Sequence, residues 1–372
     1  MKRVLFLPFL QIPSGHHQVA DSLIEGLRMI DPSIQCDKVD IFQYRSKWIE
    51  MLSSYMYLKW IHYFPGFYSW LYHKSVYTNV KENKRYRHYE ALFLKAMKKL
   101  IHEKKPDIMI CTHALPSYML SQLKEKQVVS TPVINVYTDY FIHQLWGIKG
   151  IDFHFVPSKE NKQSLIEKGV HPGRIFITGI PVHHKITKTH EFKFTKKYPE
   201  TILITGGNLG VGFMDRLISS LERQSAFHYY ILCGKNERLY QKLSAIKGPF
   251  TPFSYIESRE HMNEIYEKSD AIVTKPGGVT ISESLMKQLP IFVYHALPGQ
   301  EEINLNQLSR LGVVHPINQS KTDPQLEKQI HAFFSDQHLI DQYKENVLDY
   351  HRDMVNINPP HLLYQLMENH VL

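Results

Sequence analysis

The chain has 372 residues, 43% of them hydrophobic, which is enough for two or three domains with substantial cores and argues against a disordered protein. A formal net charge of +8 and a pI near 9.0 favour an acidic partner, such as a nucleotide, an anionic lipid or a nucleic acid. The three cysteines are far apart and form no CxxC pair, which argues against a disulfide framework or zinc site and favours a reducing compartment.

In chain order, the first half alternates short apolar runs with helical patterns. The run RVLFLPF predicts a first strand rather than a secretory leader, because Pro8 interrupts it and no small-x-small cleavage site follows. An amphipathic helix, QVADSLIEGLRMI, comes next. Further strands are predicted in SIQCDKVDIF, PDIMICTH, PVINVYT, FHFVPS and RIFITG, with helical segments between them. Since no uncharged apolar stretch reaches about 18 residues, no membrane-spanning helix is expected.

Residues 42–89 break this rhythm. They contain Trp48, Trp60 and Trp70 and many other aromatic residues, with lysines and arginines interleaved. Aromatic rings at the headgroup level and cations against anionic lipid are typical of an interfacial membrane segment. The same composition also fits a helical insertion whose aromatics pack inward, or a nucleic-acid surface that stacks bases. The segment alone leaves these three interpretations open.

The stretch 181–200 is polar and basic and has no apolar stripe, so it is the predicted linker. The strand–helix rhythm then restarts at TILITGG and continues through FHYYILCG, FTPFSYI, AIVTKPGG and PIFVYHA. The predicted fold class is therefore α/β, with two doubly wound, Rossmann-like domains facing a cleft. We expect domains at 1–182 and 201–350, a linker at 183–200, and terminal helices at 351–372 that pack back on the N-terminal domain.

The segment IVTKPGGVTISE, residues 272–283, predicts a strand, a glycine turn and a helix. Thr280 is the expected N-cap, with Glu283 three residues later completing a capping box. This is either a well-made structural turn or a nucleotide site in which free helix N–H groups face an anion.

A second glycine turn, TGGNLGVG at 205–212, also lies between a predicted strand and a predicted helix, and resembles a phosphate-binding loop. It is neither GxGxxG nor a GxxxxGK[ST] P-loop, and the next strand ends in Cys233-Gly234-Lys235 without the acid expected of an NAD site. The elimination leaves a nucleotide other than NAD or P-loop ATP. After PIFVYHA, the turn with Gln300 and Glu301 can offer an amide and a carboxylate to sugar hydroxyls; alternatively Glu301 only begins a solvent-facing helix.

Histidine side chains at strand ends are candidates for acid–base chemistry. His16 follows Gly15 at a strand-to-helix turn, where it could act as general base on an acceptor hydroxyl. Asp139 and His143 follow the strand VINVYT and, four residues apart, would share a helix face and orient each other, or serve as a cap and a surface residue. No DxD motif, HExxH motif or cysteine cluster occurs, so no metal site is predicted.

The motifs KPGGVTISESL, PGQE, TDY-x-x-H-x-x-W and GHHQVADSL together resemble the diacylglycerol glycosyltransferase family. That family includes the bacterial processive diacylglycerol glucosyltransferases and the plant monogalactosyldiacylglycerol synthases, with the peptidoglycan enzyme MurG as a more distant relative. The motifs run in order over nearly the whole chain. The resemblance implies a GT-B fold and metal-independent transfer of a hexose from a UDP-sugar to a lipid hydroxyl, with no cofactor.

By this resemblance the N-terminal domain binds the acceptor and the membrane, and the C-terminal domain binds the UDP-sugar. The candidate catalytic residues are His16, which the resemblance makes the base or the acceptor-orienting residue, and Asp139 after the strand VINVYT. The implied donor-binding residues are Gly206, Gly207 and Gly210 near the diphosphate, Gly277, Gly278, Thr280 and Glu283 at phosphate and ribose, and Gln300 and Glu301 at the sugar.

The resemblance also favours the membrane interpretation of 42–89, so the expected partners are the UDP-sugar, a lipid acceptor and the anionic inner face of the cell membrane, with no nucleic acid and a cytoplasmic location. The first loop departs from the family, because Pro13-Ser14-Gly15-His16 lacks the first glycine of Gly-x-Gly-His. Two alternatives therefore stand beside the transferase: a UDP-sugar-binding regulator without transfer activity, and a UDP-sugar 2-epimerase.

Overall fold

The computed structural model describes residues 2–9, 15–45, 86–189, 192, 199–207, 214, 217–218, 221, 225–297, 299–318 and 326–370. The chain divides into two compact units. The first unit comprises residues 1–183, 298–300 and 353–372, and the second comprises 184–297 and 301–352.

Each unit is built on one six-stranded parallel sheet. The strands of the first sheet are β1 Arg3–Leu7, β2 Gln35–Lys38, β3 Ile108–Cys111, β4 Val133–Val136, β5 Phe153–Val156 and β6 Ile175–Ile177. Those of the second are β7 Thr201–Thr205, β8 His228–Leu232, β9 Phe250–Phe253, β10 Ala271–Thr274, β11 Ile291–Val293 and β12 His315–Pro316.

Helices connect these strands. Among the described residues up to 183 they are α1 Gly15–Ile30, α2 Ile41–Arg45, α3 Arg87–Lys104, α4 Ala114–Glu125 and α5 Lys159–Glu167. Among the described residues that follow, they are α6 Glu237–Ser244, α7 Arg259–Lys268, α8 Gly278–Met286, α9 Gln300–Arg310, α10 Leu326–Ser335, α11 Gln337–Arg352 and α12 Pro359–His370. None of the described helices combines the length and apolar character that crossing a bilayer requires.

The strand order explains where a ligand can bind in the first unit. The sheet runs β2-β1-β3-β4-β5-β6, so the chain moves outward from β1 to β2 and then crosses to the other side of β1 to form β3. Val4 pairs with Cys36 on one side and with Ile108 on the other. The connections that leave β1 and β3 therefore diverge, which opens a crevice at the carboxyl ends of these two strands.

The second sheet has the same kind of reversal. Its order is β12-β11-β10-β7-β8-β9, so β7 leads to β8 and β9 on one side, and β10, β11 and β12 follow on the other. The connections diverge between β7 and β10, which lie side by side with Ile202 paired to Ala271. The two central strands β7 and β10 are buried almost throughout, as expected for parallel strands covered by helices on both faces.

The C-terminal helix α12 belongs to the first unit, where it packs against α1. The contact is close at Gly26, where a β-carbon would lie 2.4 Å from Cγ of Pro360 and 2.6 Å from its Cβ. The Lys2 ammonium also donates to the carbonyl oxygen of Met367 at 3.1 Å. Gly26 therefore allows the two helices to approach, because any side chain there would overlap the proline ring.

Candidate active site

His16 lies at the crevice of the first unit. It is the second residue of α1, the helix that follows β1. The chain segments after β3 and β4 bring Thr112, His113, Thr138 and Asp139 to the same edge of the sheet, since all three strands are parallel neighbours. The topology thus gathers residues from three separate parts of the sequence at one place.

A hydrogen-bond chain holds the His16 ring. Its Nδ1 lies 2.7 Å from the hydroxyl oxygen of Thr138, and that hydroxyl donates to the carbonyl oxygen of Thr112 at 3.4 Å. Thr138 is 4% exposed and Thr112 is fully buried, so both partners are fixed by the surrounding core. The ring orientation of His16 is therefore set by the ends of β3 and β4.

His113 packs against the same ring. The two imidazoles meet edge to face with centroids 4.7 Å apart, and the ring of Phe9 stacks on His113 with centroids 4.6 Å apart. Nδ1 of His113 accepts from the backbone N–H of Leu115 at 3.1 Å and so caps α4. In the neutral ring this bond leaves the proton of His113 on Nε2.

Burial lowers the pKa of His16 below its ordinary value, and His17 acts in the same direction. The carboxylate of Asp139 and a hydrogen bond to the Thr112 carbonyl oppose this effect by favouring the protonated ring. Burial also holds the pKa of His113 well below its usual range, with His16 as the next contribution. Near neutral pH, His16 is therefore a neutral imidazole beside a carboxylate, which is the state a general base requires.

The predicted helix carrying Asp139 and His143 is wrong. Residues 137–151 form bends, turns and irregular backbone instead of a helix. A side chain here accepts a hydrogen bond from a nearby backbone N–H: Nδ1 of His143 accepts from the N–H of Leu145 at 3.3 Å. Asp139 instead acts electrostatically on His16, and its Oδ2 accepts from Nε2 of Gln300 at 2.7 Å. Asp139 thus interacts with two other residues predicted for the site, His16 and Gln300, and all three belong to the first unit.

In the second unit, both glycine turns lie at the crevice between β7 and β10. Gly206 and Gly207 follow β7 directly, and Gly207 has a φ of +78°. A β-carbon built on Gly207 would lie 3.7 Å from Cε of Lys275, the residue after β10. The two turns are therefore neighbours. Gly210 falls outside the described residues.

The helix after the KPGG turn begins earlier than predicted, and Thr280 is not its N-cap. Helix α8 starts at Gly278 with Gly277 as N-cap, and no side chain caps it. The reason is that Gly277, in extended conformation at φ −82° and ψ 136°, turns directly into the helix and makes Thr280 its third residue. The first backbone N–H groups, from Gly278 to Thr280, therefore have no capping side chain, which favours an anion at this end.

Helix α9 braces the KPGG turn. Nδ2 of Asn304 donates to the carbonyl oxygen of Pro276 at 3.2 Å, and Nζ of Lys275 lies 3.1 Å from Oε1 of Glu301. The other carboxylate oxygen of Glu301 accepts from the backbone N–H of Leu297 at 2.8 Å. Glu301, at 18% side-chain exposure, is thus part of the turn and does not simply face solvent.

Glu283 is buried at 6% exposure, and the predicted capping box is absent. Its Oε2 accepts from the hydroxyl of Tyr266 on α7 at 2.8 Å instead. Burial raises the pKa of Glu283, while Arg259 and the Tyr266 hydroxyl partly offset this. A fixed, buried carboxylate one turn into α8 is suited to accept from a vicinal diol through its other oxygen.

Sequence reasoning missed Thr112, His113, Thr138 and Tyr266. The first three are the last residues of segments predicted as strands, PDIMICTH and PVINVYT, so the expectation that ligands bind beyond the carboxyl ends of parallel strands could have found them. Tyr266 lies on the outer helix α7, and only the folded structure brings it to Glu283.

Comparisons with known proteins agree with this architecture. Residues 16–182 match the monogalactosyldiacylglycerol (MGDG) synthase family, and residues 201–355 match the glycosyltransferase family 28 C-terminal domain. The uncharacterized glycosyltransferase YkoN of Bacillus subtilis is 44% identical over 95% of this chain and 94% of that protein. A processive diacylglycerol beta-glucosyltransferase of Bacillus cytotoxicus is 30% identical over 89% of this chain and 86% of that protein.

Among solved structures, MurG of Acinetobacter baumannii superposes with a TM-score of 0.59 at 14% identity, covering 99% of both chains. The predicted fold class is confirmed: two doubly wound α/β units form the GT-B fold of glycosyltransferases. The predicted resemblance is confirmed as well, and the chain belongs to the diacylglycerol glycosyltransferase family within glycosyltransferase family 28.

Proposed function

We propose that the protein transfers a hexose from a UDP-sugar to a lipid hydroxyl, with diacylglycerol as the acceptor, and that it needs no metal ion. The observation that carries the proposal is His16, a neutral imidazole held at the crevice of the first unit beside the Asp139 carboxylate. A relative with 30% identity is named a processive diacylglycerol beta-glucosyltransferase, which supports the choice of donor and acceptor.

In the proposed reaction, His16 accepts the proton of the lipid hydroxyl as that oxygen forms its bond to the anomeric carbon of the hexose. The imidazolium that results is stabilised by Asp139, whose carboxylate already favours the protonated ring. The same bond formation expels UDP, so negative charge increases on the departing diphosphate.

The second unit is proposed to bind the donor. The uncapped N-terminus of α8 offers backbone N–H groups and the positive end of a helix dipole to the diphosphate. A β-carbon on Gly277 would meet nothing within 4 Å, so there is open space over this turn. Because Tyr266 occupies Oε2 of Glu283, the ribose hydroxyls are assigned to Oε1.

Two observations support a reaction without a metal ion: a missing sequence motif, and the groups of the second unit that can stabilise negative charge. The chain has no DxD motif of the kind that holds a divalent ion against a nucleotide diphosphate. The charge that a metal would neutralise is assigned instead to the α8 N-terminus and to Lys275, whose ammonium is shared with Glu301.

The proposal includes peripheral attachment to the anionic inner face of the cell membrane. Most of the aromatic and basic segment 42–89 lies outside the described residues, but α3 begins within its last residues, at Arg87. Tyr89 and Leu92 on α3 are 41% and 44% exposed, although both are large and apolar. Lys95, Lys98 and Lys99 are exposed on the same helix. Exposed apolar side chains beside cations support contact with anionic lipid.

Vesicle sedimentation tests this attachment. Leu92→Asn should weaken binding to phosphatidylglycerol vesicles, whereas Leu348→Asn should not, since Leu348 on α11 is comparably exposed at 46% but lies in the second unit. Lys95→Gln is paired in the same way with Lys159→Gln on α5. Equal binding by all four variants would contradict a role for α3.

The transferase proposal is tested with vesicles that contain diacylglycerol and anionic lipid. Labelled UDP-glucose, UDP-galactose and UDP-N-acetylglucosamine are supplied separately, and lipid extracts are separated by thin-layer chromatography. A labelled glycolipid from one donor, absent with His16→Ala, is expected. Measurable UDP binding without product from any donor would contradict the proposal and favour the regulator.

A further inference from the structure

The hydroxyl of Thr138 has a defined position between two groups. Its oxygen is 2.7 Å from Nδ1 of His16 and 3.4 Å from the carbonyl oxygen of Thr112. A carbonyl can only accept, and a threonine hydroxyl has a single proton. When that proton points to Thr112, the hydroxyl oxygen is left to accept, and Nδ1 of His16 must be the donor.

The Thr112 carbonyl also acts on the His16 ring. A hydrogen bond to this carbonyl favours the protonated ring. A neutral imidazole has only one N–H. Since Nδ1 carries that N–H and donates it to Thr138, the lone pair of the ring is on Nε2.

We infer that Thr138 is a positioning residue that fixes His16 in the Nδ1–H tautomer and thereby makes Nε2 the atom that accepts the proton of the acceptor hydroxyl. The expected effect on the reaction rate rests on the proposed function, whereas the tautomer follows from the hydrogen bonds alone. It gives Thr138 the role of an orienting group behind the base, as a carboxylate has behind histidine in other nucleophilic sites. Asp139 then acts on the charge of the ring rather than on the position of its proton.

Thr138→Val removes the hydroxyl and keeps the shape of the side chain, and Thr138→Ser restores the hydroxyl. Thr178→Val is the matched control: Thr178 is also buried in the first unit, and its hydroxyl donates to a backbone carbonyl, that of Gly179, at 2.7 Å. Thermal unfolding of all three variants measures the purely structural cost of each change.

The kinetics of glycosyl transfer to diacylglycerol distinguish a positioning role of Thr138 from a purely structural one. For Thr138→Val we expect kcat to fall about 10- to 100-fold, part of the roughly 10²- to 10⁴-fold that a general base supplies. The KM values for donor and lipid should stay within about twofold, and Thr138→Ser should regain most of the loss. A loss no greater than that of Thr178→Val, or no recovery with serine, would overturn the inference.

The pH profile gives a readout that a structural defect does not move. Without the Thr138 acceptor both states of the ring lose a hydrogen bond, but the charge-assisted bond of the imidazolium is the stronger one, so the acidic limb of kcat/KM should move to lower pH in Thr138→Val. The charged and titratable groups that interact with His16 are unchanged by the substitution; they are Asp139, His17, His113 and His143. An unshifted limb would contradict the inference.

The tautomer is measured directly by ¹⁵N NMR of the histidine-labelled protein, with His16→Gln identifying the ring signals of His16 among the 22 histidines. We expect a protonated Nδ1 and an unprotonated Nε2 in the native protein above the pKa. A proton on Nε2 would refute the inference even if transfer is observed. The expected tautomer without any transfer would instead refute the proposed function alone.

Discussion

Replacing Gly277 by alanine separates stability from donor binding at the KPGG turn. The position has φ −82° and ψ 136°, which alanine adopts without strain, and its β-carbon would meet nothing within 4 Å. Alanine is a poorer N-cap than glycine by roughly 0.5–1 kcal/mol. It also stabilises by about 0.4–1 kcal/mol through the lower entropy of the unfolded chain. These effects offset each other, so the free energy of unfolding should change by less than about 0.5 kcal/mol.

Binding of UDP should respond differently. A methyl group in the open space over Gly277 displaces the diphosphate from the N–H groups of α8, and we expect at least a tenfold loss, about 1.4 kcal/mol. Titration calorimetry with UDP measures the affinity, and urea unfolding measures the stability. Gly173→Ala is the control, because its methyl would meet only the His171 ring in the first unit. A stable Gly277→Ala protein that binds UDP as well as the native protein would refute a diphosphate at this turn.

Three further predictions follow from packing and burial. Gly26→Ala should lower the free energy of unfolding by about 1–3 kcal/mol, because its β-carbon would overlap Pro360; thermal unfolding checks this, and Pro360→Gly in the same chain should relieve part of the loss. Glu283→Gln should be at least as stable as the native protein near pH 8, because burial raises the pKa of Glu283 and its ionised form opposes folding there. The difference in the free energy of unfolding should disappear as the pH falls towards the pKa of an unfolded glutamate, ~4.3, and a difference that grows in acid would contradict this. Burial lowers the pKa of His143 and His154 to about 3, so the unfolded chain, with histidine pKa values of about 6.5, binds protons first as the pH falls. Urea unfolding monitored by fluorescence should therefore show the free energy of unfolding decreasing below about pH 6.5, and a flat profile would argue against buried neutral rings.

The parallel sheets were predictable from the sequence because their strands are buried on both faces. Such strands appear as short continuous apolar runs, as in IMIC of β3 and AIVT of β10, and glycine or polar residues mark their ends. The two-residue strand β12 was not predicted, since His315–Pro316 carries no apolar run and pairs only along the edge of β11.

Local helix signals were less informative. Thr280 and Glu283 have the spacing of a capping box, yet the Glu283 carboxylate is buried and accepts a hydrogen bond from Tyr266, seventeen positions away in the sequence. Asp139 and His143 have helical spacing, but His143 bonds to the backbone of its own turn. In both cases a tertiary or side-chain interaction outweighs a local preference that is worth only a fraction of the folding free energy.

The candidate site was predictable to the extent that it depends on strand ends. His16, Gly206, Gly207, Gly277 and Gly278 all follow strands in the sequence, and the structure has them at the two crevices. Their assigned roles remain predictions. The contacts that orient these residues, such as Thr138 to His16, join segments over a hundred residues apart and have no local signal.

The packing of α12 on α1 has a consequence for how the protein is made. The first unit is discontinuous, because residues 353–372 complete a body that residues 1–183 begin, and the residues of the second unit lie between them in the sequence. On the ribosome, α1 is therefore synthesised before the second unit, and the helix that covers Gly26 is synthesised after it. We expect a nascent chain that still lacks α12 to expose the Gly26 face of α1, and to acquire its full resistance to proteolysis only after α12 has left the exit tunnel.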